Sequence, residues 1–328
     1  MKSKKQSKNY LKIAGNIHLS YYVEAADILG IDYKIFVRSL MARFEANGKH
    51  WFIINTVNPL INSPSATIAK RKYLTNMVLE EAGVPVPKQN KLSSIEDALE
   101  FYNKFQVIVI KPAQGLGGKG VTILPEDENA VRKAYRAALE NNKSKTSTKI
   151  LGEEFIPGNH YRLLVLGNHV IGAVRRVPAD VSGDGVHTIS ELIKLENKKR
   201  KERLLKPIPV DDQTHKKLNR QNLTLDSVLP KDQRVEIRFH ANLTTGGSTE
   251  ECAEEMHKFY EETAVNAVKA TGMKFGGVDL ITPDISKPAR CAINEVNYNP
   301  GLRPHYKVDR GKIVKVAVPV MKYIRDNF

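Results

Sequence analysis

The sequence predicts a mixed α/β (α+β) protein built from two or three packed units. Its 328 residues exceed the size of a typical single domain. Short apolar runs typical of strands are interleaved along the chain with segments of helical periodicity. No run of about 18 apolar residues occurs, which argues against a membrane-spanning helix.

The first predicted unit, residues 1–64, is a small N-terminal α/β domain. The stretch YYVEAADILGI has helical periodicity and ends at Gly30, and the apolar runs YKIFV and KHWFII follow as strands. The second unit, residues 65–150, begins with a helix that stops at Gly83. Ser93 and Glu96 then predict a capping box for the next helix. The strand VIVIK, a glycine-rich turn, a second strand and a helix complete this unit.

The third predicted unit covers residues 151–328. It contains the hairpin YRLLVLGNHVIGAVRRVP, whose turn is expected at Gly167 and Asn168. The strands FGGVDLIT and ARCAINEVN follow one another near the C-terminus, before a last helix. Because only a short loop separates these two strands, we expect them to pair.

The charge balance points to anionic partners. The chain has 51 basic and 36 acidic residues, a formal net charge of +15, which attracts anions. The basic runs at residues 2–8 and 197–206 carry no interleaved aromatic residues of the kind that stack on bases. The sequence therefore favours a nucleotide or an acidic substrate over nucleic acid.

Cysteine usage indicates a reducing compartment. The two cysteines, Cys252 and Cys291, form no CxxC pair and adjoin no histidine cluster, which argues against disulfides and thiolate zinc sites. The basic N-terminus leads into no apolar segment of the kind found in signal peptides. We therefore expect a cytoplasmic protein.

The stretch VIVIKPAQGLGGKGVTI fits the dinucleotide pattern GxGxxG at Gly115, Gly117 and Gly120. A dinucleotide loop opens a helix, however, whereas here a short β-branched run follows, so the element is strand, glycine turn, strand. Walker A is also excluded, because Gly120 stands where Ser or Thr is required. Such a turn folds backbone N–H groups over a phosphate, with Lys111 and Lys119 at its edges; an ordinary hairpin is the alternative.

The two C-terminal strands carry a set of oxygen donors. Asp279 lies in GVDLIT, and Glu295 and Asn297 lie two residues apart in AINEVN, so Glu295 and Asn297 share one strand face. A buried carboxylate needs a partner or a metal. Two carboxylates and an amide oxygen suit Mg²⁺ or Mn²⁺ held partly by phosphates. Ion pairs between these acids and nearby arginines are the alternative.

The order of the candidate residues resembles the ATP-grasp superfamily of carboxylate-amine ligases. Within it, the likeness is strongest to the ATP-grasp module of cyanophycin synthetase and to the related module of bifunctional glutathione synthetases. It covers residues 65–328 and is carried by KYLTNMVLEEAGVPVP, VIKPAQGLGGKGV, EEFIPGNHYRLLVLGNHVIGAVRRVPADVSGDGVHTISELI, ANLTTGGST, GVDLIT and NEVNYNPGLRPHYKVDRG.

The resemblance implies two α/β subdomains that clasp ATP, and it assigns roles by position. The ATP-binding positions are the phosphate lysines Lys72 and Lys111, the flap residues Gln114, Gly115, Gly117, Gly118 and Gly120, and the hinge residues Glu153, Glu154, Phe155 and Ile156. The metal positions are Asp279, Glu295 and Asn297, for Mg²⁺ or Mn²⁺. The catalytic positions are Arg238 and Arg303, and the substrate-binding positions are Arg162, Arg176 and His305. Three residues depart from the family pattern: Asn159 and His160 stand where an acidic residue often contacts the ribose, and Pro304 replaces the residue usual between the loop Arg and His in cyanophycin synthetase.

The resemblance implies an ATP-dependent ligase that forms an amide or peptide bond through an acyl phosphate. Its expected partners are a small-molecule or peptide carboxylate, such as an amino acid or acidic peptide, and an amine acceptor. A glutathione-synthetase-like γ-glutamyl peptide ligase stays open, and so does a basic nucleic-acid-binding protein with an ATP-grasp shell. A homo-oligomer is compatible with the sequence.

Overall fold

The computed structural model describes residues 8–114, 119–142, 149–202, 205–239, 241 and 245–328. No helix within these ranges is long and apolar enough to cross a membrane. The helices, in chain order, are α1 (Tyr10–Ala14), α2 (Ile17–Leu29), α3 (Ser63–Lys70), α4 (Lys72–Glu81), α5 (Ile95–Phe105), α6 (Glu128–Glu140), α7 (Ile189–Glu202), α8 (Asp212–Asn219), α9 (Lys258–Ala270), α10 (Arg303–Tyr306) and α11 (Ala317–Asn327).

The strands form separate antiparallel sheets, in agreement with the predicted mixed α/β class. In chain order they are β1 (Asp32–Val37), β2 (Met41–Ala46), β3 (Lys49–Ile54), β4 (Gln89–Leu92), β5 (Ile108–Pro112), β6 (Thr122–Ile123), β7 (Ile150–Glu154), β8 (Asn159–Leu166), β9 (His169–Val177), β10 (Asp180–Ser182), β11 (Arg234–Glu236), β12 (Ser248–Glu251), β13 (Phe275–Thr282) and β14 (Ala292–Asn297).

The chain divides into two compact units. Unit 1 contains the residues before Val174 together with Cys252–Lys307 and Lys312–Phe328, and unit 2 contains Val174–Glu251 and Val308–Gly311. These units do not follow the three segments predicted from the sequence, whose boundaries stay a prediction.

The N-terminal segment of unit 1 shares a hydrophobic core with the C-terminal helix. Helix α2 begins at the Asn16 cap and ends at Gly30, whose φ of 64° is favoured by glycine. Its apolar face packs on the sheet β1-β2-β3 and against α11. Buried residues of this core come from both ends of the chain and include Leu19, Tyr22, Phe44, Ile53, Val320, Met321 and Ile324.

A four-stranded sheet in the order β4-β7-β5-β6 forms the middle of unit 1, with α5 and α6 packed on it. The capping box of α5 is formed by Ser94 and Asp97, so the predicted pair Ser93 and Glu96 was wrong by one residue. The carboxylate of Asp97 accepts from the backbone N–H groups of both Ser93 and Ser94, at 2.7 and 3.3 Å. Starting the helix at Ile95 also places Ala98 and Phe101 in the core.

The third sheet of unit 1 positions most of the candidate site. Strands β14, β13 and β8 are antiparallel neighbours, β9 follows β8 across the predicted hairpin, and α9 packs on the sheet. In unit 2, the second half of β9 pairs with β12, and β10 pairs with β11 beside α7.

Candidate active site

Three ionisable side chains lie in one row across β8, β13 and β14. Asp279 is directly opposite Arg162 on one side and Glu295 on the other. Directly opposite residues of antiparallel strands have Cβ atoms about 5 Å apart on the same face. Asn297, opposite Gly277, lies two positions along that face. The predicted pairing of the two C-terminal strands is confirmed, and it places the three oxygen-bearing side chains together.

A β-bulge adjoins this row. Leu280 pairs with Ile293 while Asp279 pairs with Glu295, so Asn294 is the extra residue on β14. If the register of the Leu280–Ile293 pair continued with no bulge, Asn294 would lie opposite Asp279 and Glu295 opposite Val278, on the face away from Asp279. The bulge therefore allows the two carboxylates to share a face.

Each carboxylate has a cation from another element. The guanidinium of Arg162 donates to both oxygens of Asp279, with 3.0 Å between Nη2 and Oδ2, and both side chains are largely buried. Lys72, the first residue of α4, places its Nζ 3.1 Å from Oε1 of Glu295 in a partly exposed pair. Burial disfavours the charged guanidinium, but Asp279 and Glu295 together hold the pKa of Arg162 above its ordinary value. In this structure the two carboxylates therefore form ion pairs, which was the alternative to a metal site. The cations contact the same carboxylate groups that are predicted to bind the metal.

Gly277 makes room for this arrangement. A Cβ atom at this position would lie 2.7 Å from Cβ of Pro300 and 3.3 Å from Nη1 of Arg162. A side chain there would displace the guanidinium or the loop after β14, so the glycine lets Arg162 lie beside Asp279.

A second row crosses the four-stranded sheet. Lys111 on β5 and Glu153 on β7 form an ion pair in which both side chains are only 7% exposed. Gln89 on β4 is opposite Glu153 and donates its Nε2 to the same carboxylate oxygen. The other amide atom of Gln89, Oε1, is buried and has no hydrogen-bond partner within the described ranges. Gln89 was not among the residues predicted from the sequence. Only its position opposite Glu153 in the sheet marks it as part of this row.

The two rows approach each other at a narrow cavity. Its volume is about 10 Å³, roughly the space of one water molecule. Its lining includes Lys72 and Glu295 of the first row and Gln89 of the second, with Thr75, Asn76, Leu79, Ile293 and Asn294. The structure therefore brings both predicted phosphate lysines and the predicted metal carboxylates into one region of unit 1.

The predicted hinge residues after Glu153 have structural partners in unit 1. Glu154 accepts from Arg290 at 2.6 Å, and the N–H of Phe155 donates to the carbonyl of Val107. Ile156 is buried in a small cluster with Ile281 and Ala292, beside the strands that carry the carboxylates. An adenine-binding role for this segment stays a prediction.

The predicted flap lies partly outside the described residues, which exclude Gly115, Gly117 and Gly118. Gln114 follows β5 and is partly buried. Gly120 has a φ of 70°, and a Cβ atom there would lie 2.7 Å from Cβ of Asn141. Both the left-handed backbone and the close approach require glycine at this end of the flap.

Arg303 and His305 lie on the short helix α10 of unit 1. His305 is fully buried against Gly172, where a Cβ atom would lie 2.9 Å from the imidazole Nδ1. Arg303 is half-buried, and no acidic group of the described residues forms an ion pair with it. Of the predicted cations in unit 1, Lys72, Lys111 and Arg162 have ion pairs with described residues, whereas Arg303 has none with them.

Arg176 and Arg238 belong to unit 2. Arg176 on β9 is opposite Thr249 of β12. Arg238 is 5% exposed, and its guanidinium donates to Asp211, the N-cap of α8, and to Thr214 and Gln213 at 3.3 Å. Their predicted roles stay predictions. A cavity of about 400 Å³ in unit 2 is lined by none of the predicted site residues; its charged lining residues are Asp180, Asp184, Glu196, Lys199, Arg200, Arg234, Asp309 and Arg310.

The donor set in unit 1 fits a divalent cation. Among the described residues there is no cluster of three or more His, Cys, Asp or Glu side chains that could hold a metal. Asp279 and Glu295 are only two carboxylates, and the amide oxygen of Asn297 completes the set on the same face. Such hard oxygen donors suit Mg²⁺, whose remaining positions are commonly filled by phosphate and water. The lysines Lys72 and Lys111 supply positive charge for a triphosphate.

Comparison with known proteins identifies a domain family. Residues 69–179 match the model of the ATP-grasp domain. The glutathione biosynthesis bifunctional protein GshAB of Mannheimia succiniciproducens is 35% identical over 272 residues, covering 78% of this chain and 35% of that protein. Cyanophycin synthetase of Crocosphaera subtropica is 37% identical over 265 residues, covering 77% of this chain and 30% of that protein.

A solved structure is similar over nearly the whole chain. The bifunctional glutathione synthetase from Pasteurella multocida superposes with a TM-score of 0.70 at 28% identity, covering 95% of this chain and 44% of that one. The chain spans about a third of the length of the curated relatives named above. It carries an ATP-grasp domain and belongs to the ATP-grasp superfamily.

Proposed function

We propose that this protein is an ATP-dependent ligase that joins a carboxylate to an amine. The observation that carries the proposal is the row of Asp279 and Glu295 on facing strands, close to the predicted phosphate lysine Lys72. A carboxylate oxygen of the substrate would attack the γ-phosphorus of ATP, releasing ADP and leaving an acyl phosphate. The amine nitrogen would then attack the carbonyl carbon, releasing phosphate and a proton and leaving an amide.

The residues of unit 1 support this chemistry by charge and position. Lys72 and Lys111 would balance phosphate charge as it redistributes in the transition state. Asp279, Glu295 and Asn297 would hold Mg²⁺ or Mn²⁺, which neutralises phosphate charge when bound. Binding would exchange the cations now on the carboxylates for the metal, and the freed guanidinium of Arg162 would face the substrate carboxylate.

A nucleotide also fits the second row. Lys111 is held in place by Glu153, and the buried Oε1 of Gln89 is an acceptor that an exocyclic amino group of a purine would satisfy.

The proposed catalytic and substrate-binding set also includes Arg238, Arg303, Arg176 and His305. We assign the enzyme to the cytoplasm; its two buried cysteines are not joined in a disulfide, which supports a reducing compartment.

The test is a screen of amino acids and dipeptides for ADP release that requires both a carboxylate and an amine, with the mass of the product measured. We expect one product whose mass equals the sum of the two substrates minus water. A preference for a γ-glutamyl dipeptide would favour a glutathione-synthetase-like enzyme, which the 35% identity to that class supports. Tight, salt-dependent DNA binding without substrate-dependent ADP release would contradict the ligase and favour the nucleic-acid-binding alternative.

A further inference from the structure

The N-terminal segment of unit 1 packs directly against the loop and helix that carry Arg303. The ring of Tyr21 on α2 stacks on that of Tyr306, with centroids 3.8 Å apart and planes inclined by 15°. The ring of His18 lies over Gly301, where a Cβ atom would come within 3.1 Å of its Cε1. The rings of His18 and Tyr21 form a T-shaped pair, with centroids 6.3 Å apart. Three polar groups, those of His18, Tyr21 and Arg303, therefore occupy one small region.

These groups lack partners in the described part of the chain. Tyr21 is 6% exposed and its hydroxyl has no hydrogen-bond partner. Nδ1 of His18 is likewise buried without one. Arg303 has no ion pair there either. Buried polar groups in native proteins are nearly always satisfied, so a cluster of unsatisfied groups beside a cation indicates a place for a ligand.

The electrostatics show which ligand these groups would take. Burial, assisted by the charge of Arg303, lowers the pKa of His18, so its imidazole is neutral at pH 7. Burial raises the pKa of Tyr21 to about 12 although Arg303 opposes the shift, so the phenol keeps its proton. A guanidinium, a phenol O–H and an imidazole N–H are all donors. Their match is an anionic acceptor, and the planar fork of one arginine fits a carboxylate.

We propose that Arg303, His18 and Tyr21 form a carboxylate-binding site for the substrate, so that the N-terminal segment is part of the active site. The inference rests on the proposed ligase function for the identity of the ligand, and it assigns a binding role to two residues outside the region of family resemblance. The segment would position the substrate through its side chains.

The experiment measures binding of glutarate by calorimetry, with the uncharged diamide glutaramide as the control ligand. We expect the protein to bind glutarate and not glutaramide. Arg303→Met, His18→Phe and Tyr21→Phe should each weaken glutarate binding by at least about tenfold, because each removes a donor to a buried anion. Tyr22→Phe is the matched control, because it removes the hydroxyl of the adjacent buried tyrosine. Asn58 affects the pKa of Tyr22, whereas Arg303 does not.

Several outcomes would overturn the proposal: no glutarate binding, equal binding of glutaramide, tighter binding of inorganic phosphate than of glutarate, or equal effects of Tyr21→Phe and Tyr22→Phe. Tyr21→Phe and Tyr22→Phe each keep the aromatic ring and remove only a hydroxyl, so their comparison decides the question independently of Arg303→Met. Failure here is distinct from failure of the ligase proposal. Substrate-dependent ADP release without glutarate binding would support the ligase proposal and contradict the carboxylate site. Glutarate binding without ADP release would support the carboxylate site and contradict the ligase proposal.

Discussion

Two clusters of unit 1 differ in whether their charged groups have partners among the described residues. In the carboxylate cluster, Asp279 and Glu295 each lie against a cation, Arg162 and Lys72. In the donor cluster, formed by Arg303, His18 and Tyr21, a cation and two polar atoms have no partner within the described ranges. The first cluster is self-neutralised and must exchange partners to bind a metal, whereas the second is open to an anion. Removing the arginine of each cluster should therefore reduce stability in the first cluster and ligand binding in the second.

The largest expected effect concerns chemistry at the carboxylate cluster. Glu295→Gln removes the charge that would hold the metal, and we expect ADP release to fall by at least about a thousandfold. Because the Lys72–Glu295 pair is partly exposed, unfolding stability should change by less than about 1 kcal/mol. Steady-state kinetics and urea unfolding measure the two effects.

The matched control for this change is Glu254→Gln, which breaks an exposed ion pair with Lys312 elsewhere in unit 1. It should leave ADP release unaltered. A fully active Glu295→Gln protein would refute the assignment of Glu295 to the metal.

The next effect is on stability. Arg162→Met leaves Asp279 buried without its counter-ion, and we expect a loss of about 3–5 kcal/mol in the free energy of unfolding. Mn²⁺ should stabilise this variant more than it stabilises the parent protein, because the arginine no longer competes for Asp279. Urea unfolding with and without Mn²⁺ measures both differences.

Arg290→Met serves as the control, since Arg290 is 70% exposed in its pair with Glu154 and should contribute less than about 1 kcal/mol. If Mn²⁺ stabilised the parent and Arg162→Met proteins equally, Asp279 would not be a metal ligand.

An arginine-to-methionine substitution in the donor cluster should have a much smaller effect on stability than Arg162→Met. Arg303→Met removes a cation that has no ion-pair partner in the described chain, so the free energy of unfolding should change by no more than about 0.5 kcal/mol. Its effect should appear as a raised KM for the carboxylate substrate. A destabilisation comparable to that of Arg162→Met would show that Arg303 has a structural partner and would remove the difference between the clusters.

The smallest effect is a pH dependence. His18 has a folded-state pKa below its ordinary value of 6.5, so the unfolded chain takes up the proton first as the pH falls. The stabilisation associated with neutral His18 is therefore complete above pH 6.5 and is lost as the pH drops through the folded-state pKa. The parent protein should lose stability more steeply below pH 6.5 than His18→Asn, as measured by urea unfolding at several pH values. Parallel curves would mean that His18 titrates normally and is exposed to solvent.

Local periodicity made part of the site predictable from the sequence. Glu295 and Asn297 are two residues apart on a strand, so their shared face follows from alternation alone, and the short distance along the chain to FGGVDLIT predicts the pairing with Asp279. The capping box of α5 was predicted at the correct turn of the chain but one residue early. The reason is that each serine has an acidic residue three positions on, and only the structure shows that the hydroxyl of Ser94 accepts from the backbone N–H of Asp97.

Only the tertiary structure decided which groups neutralise one another and which stay open. The register of β8 against β13 gives Asp279 its arginine, the bulge at Asn294 turns Glu295 to the same face, and Gln89 meets Glu153 across a strand pair that joins distant segments. The shared core of α2 and α11 brings His18 and Tyr21 to Arg303, more than 280 residues away in the chain. The sequence by itself determined the chemical types and the strand faces, because these depend on neighbouring residues. Partner choice depends on register and packing between segments far apart in the chain, which no local pattern encodes.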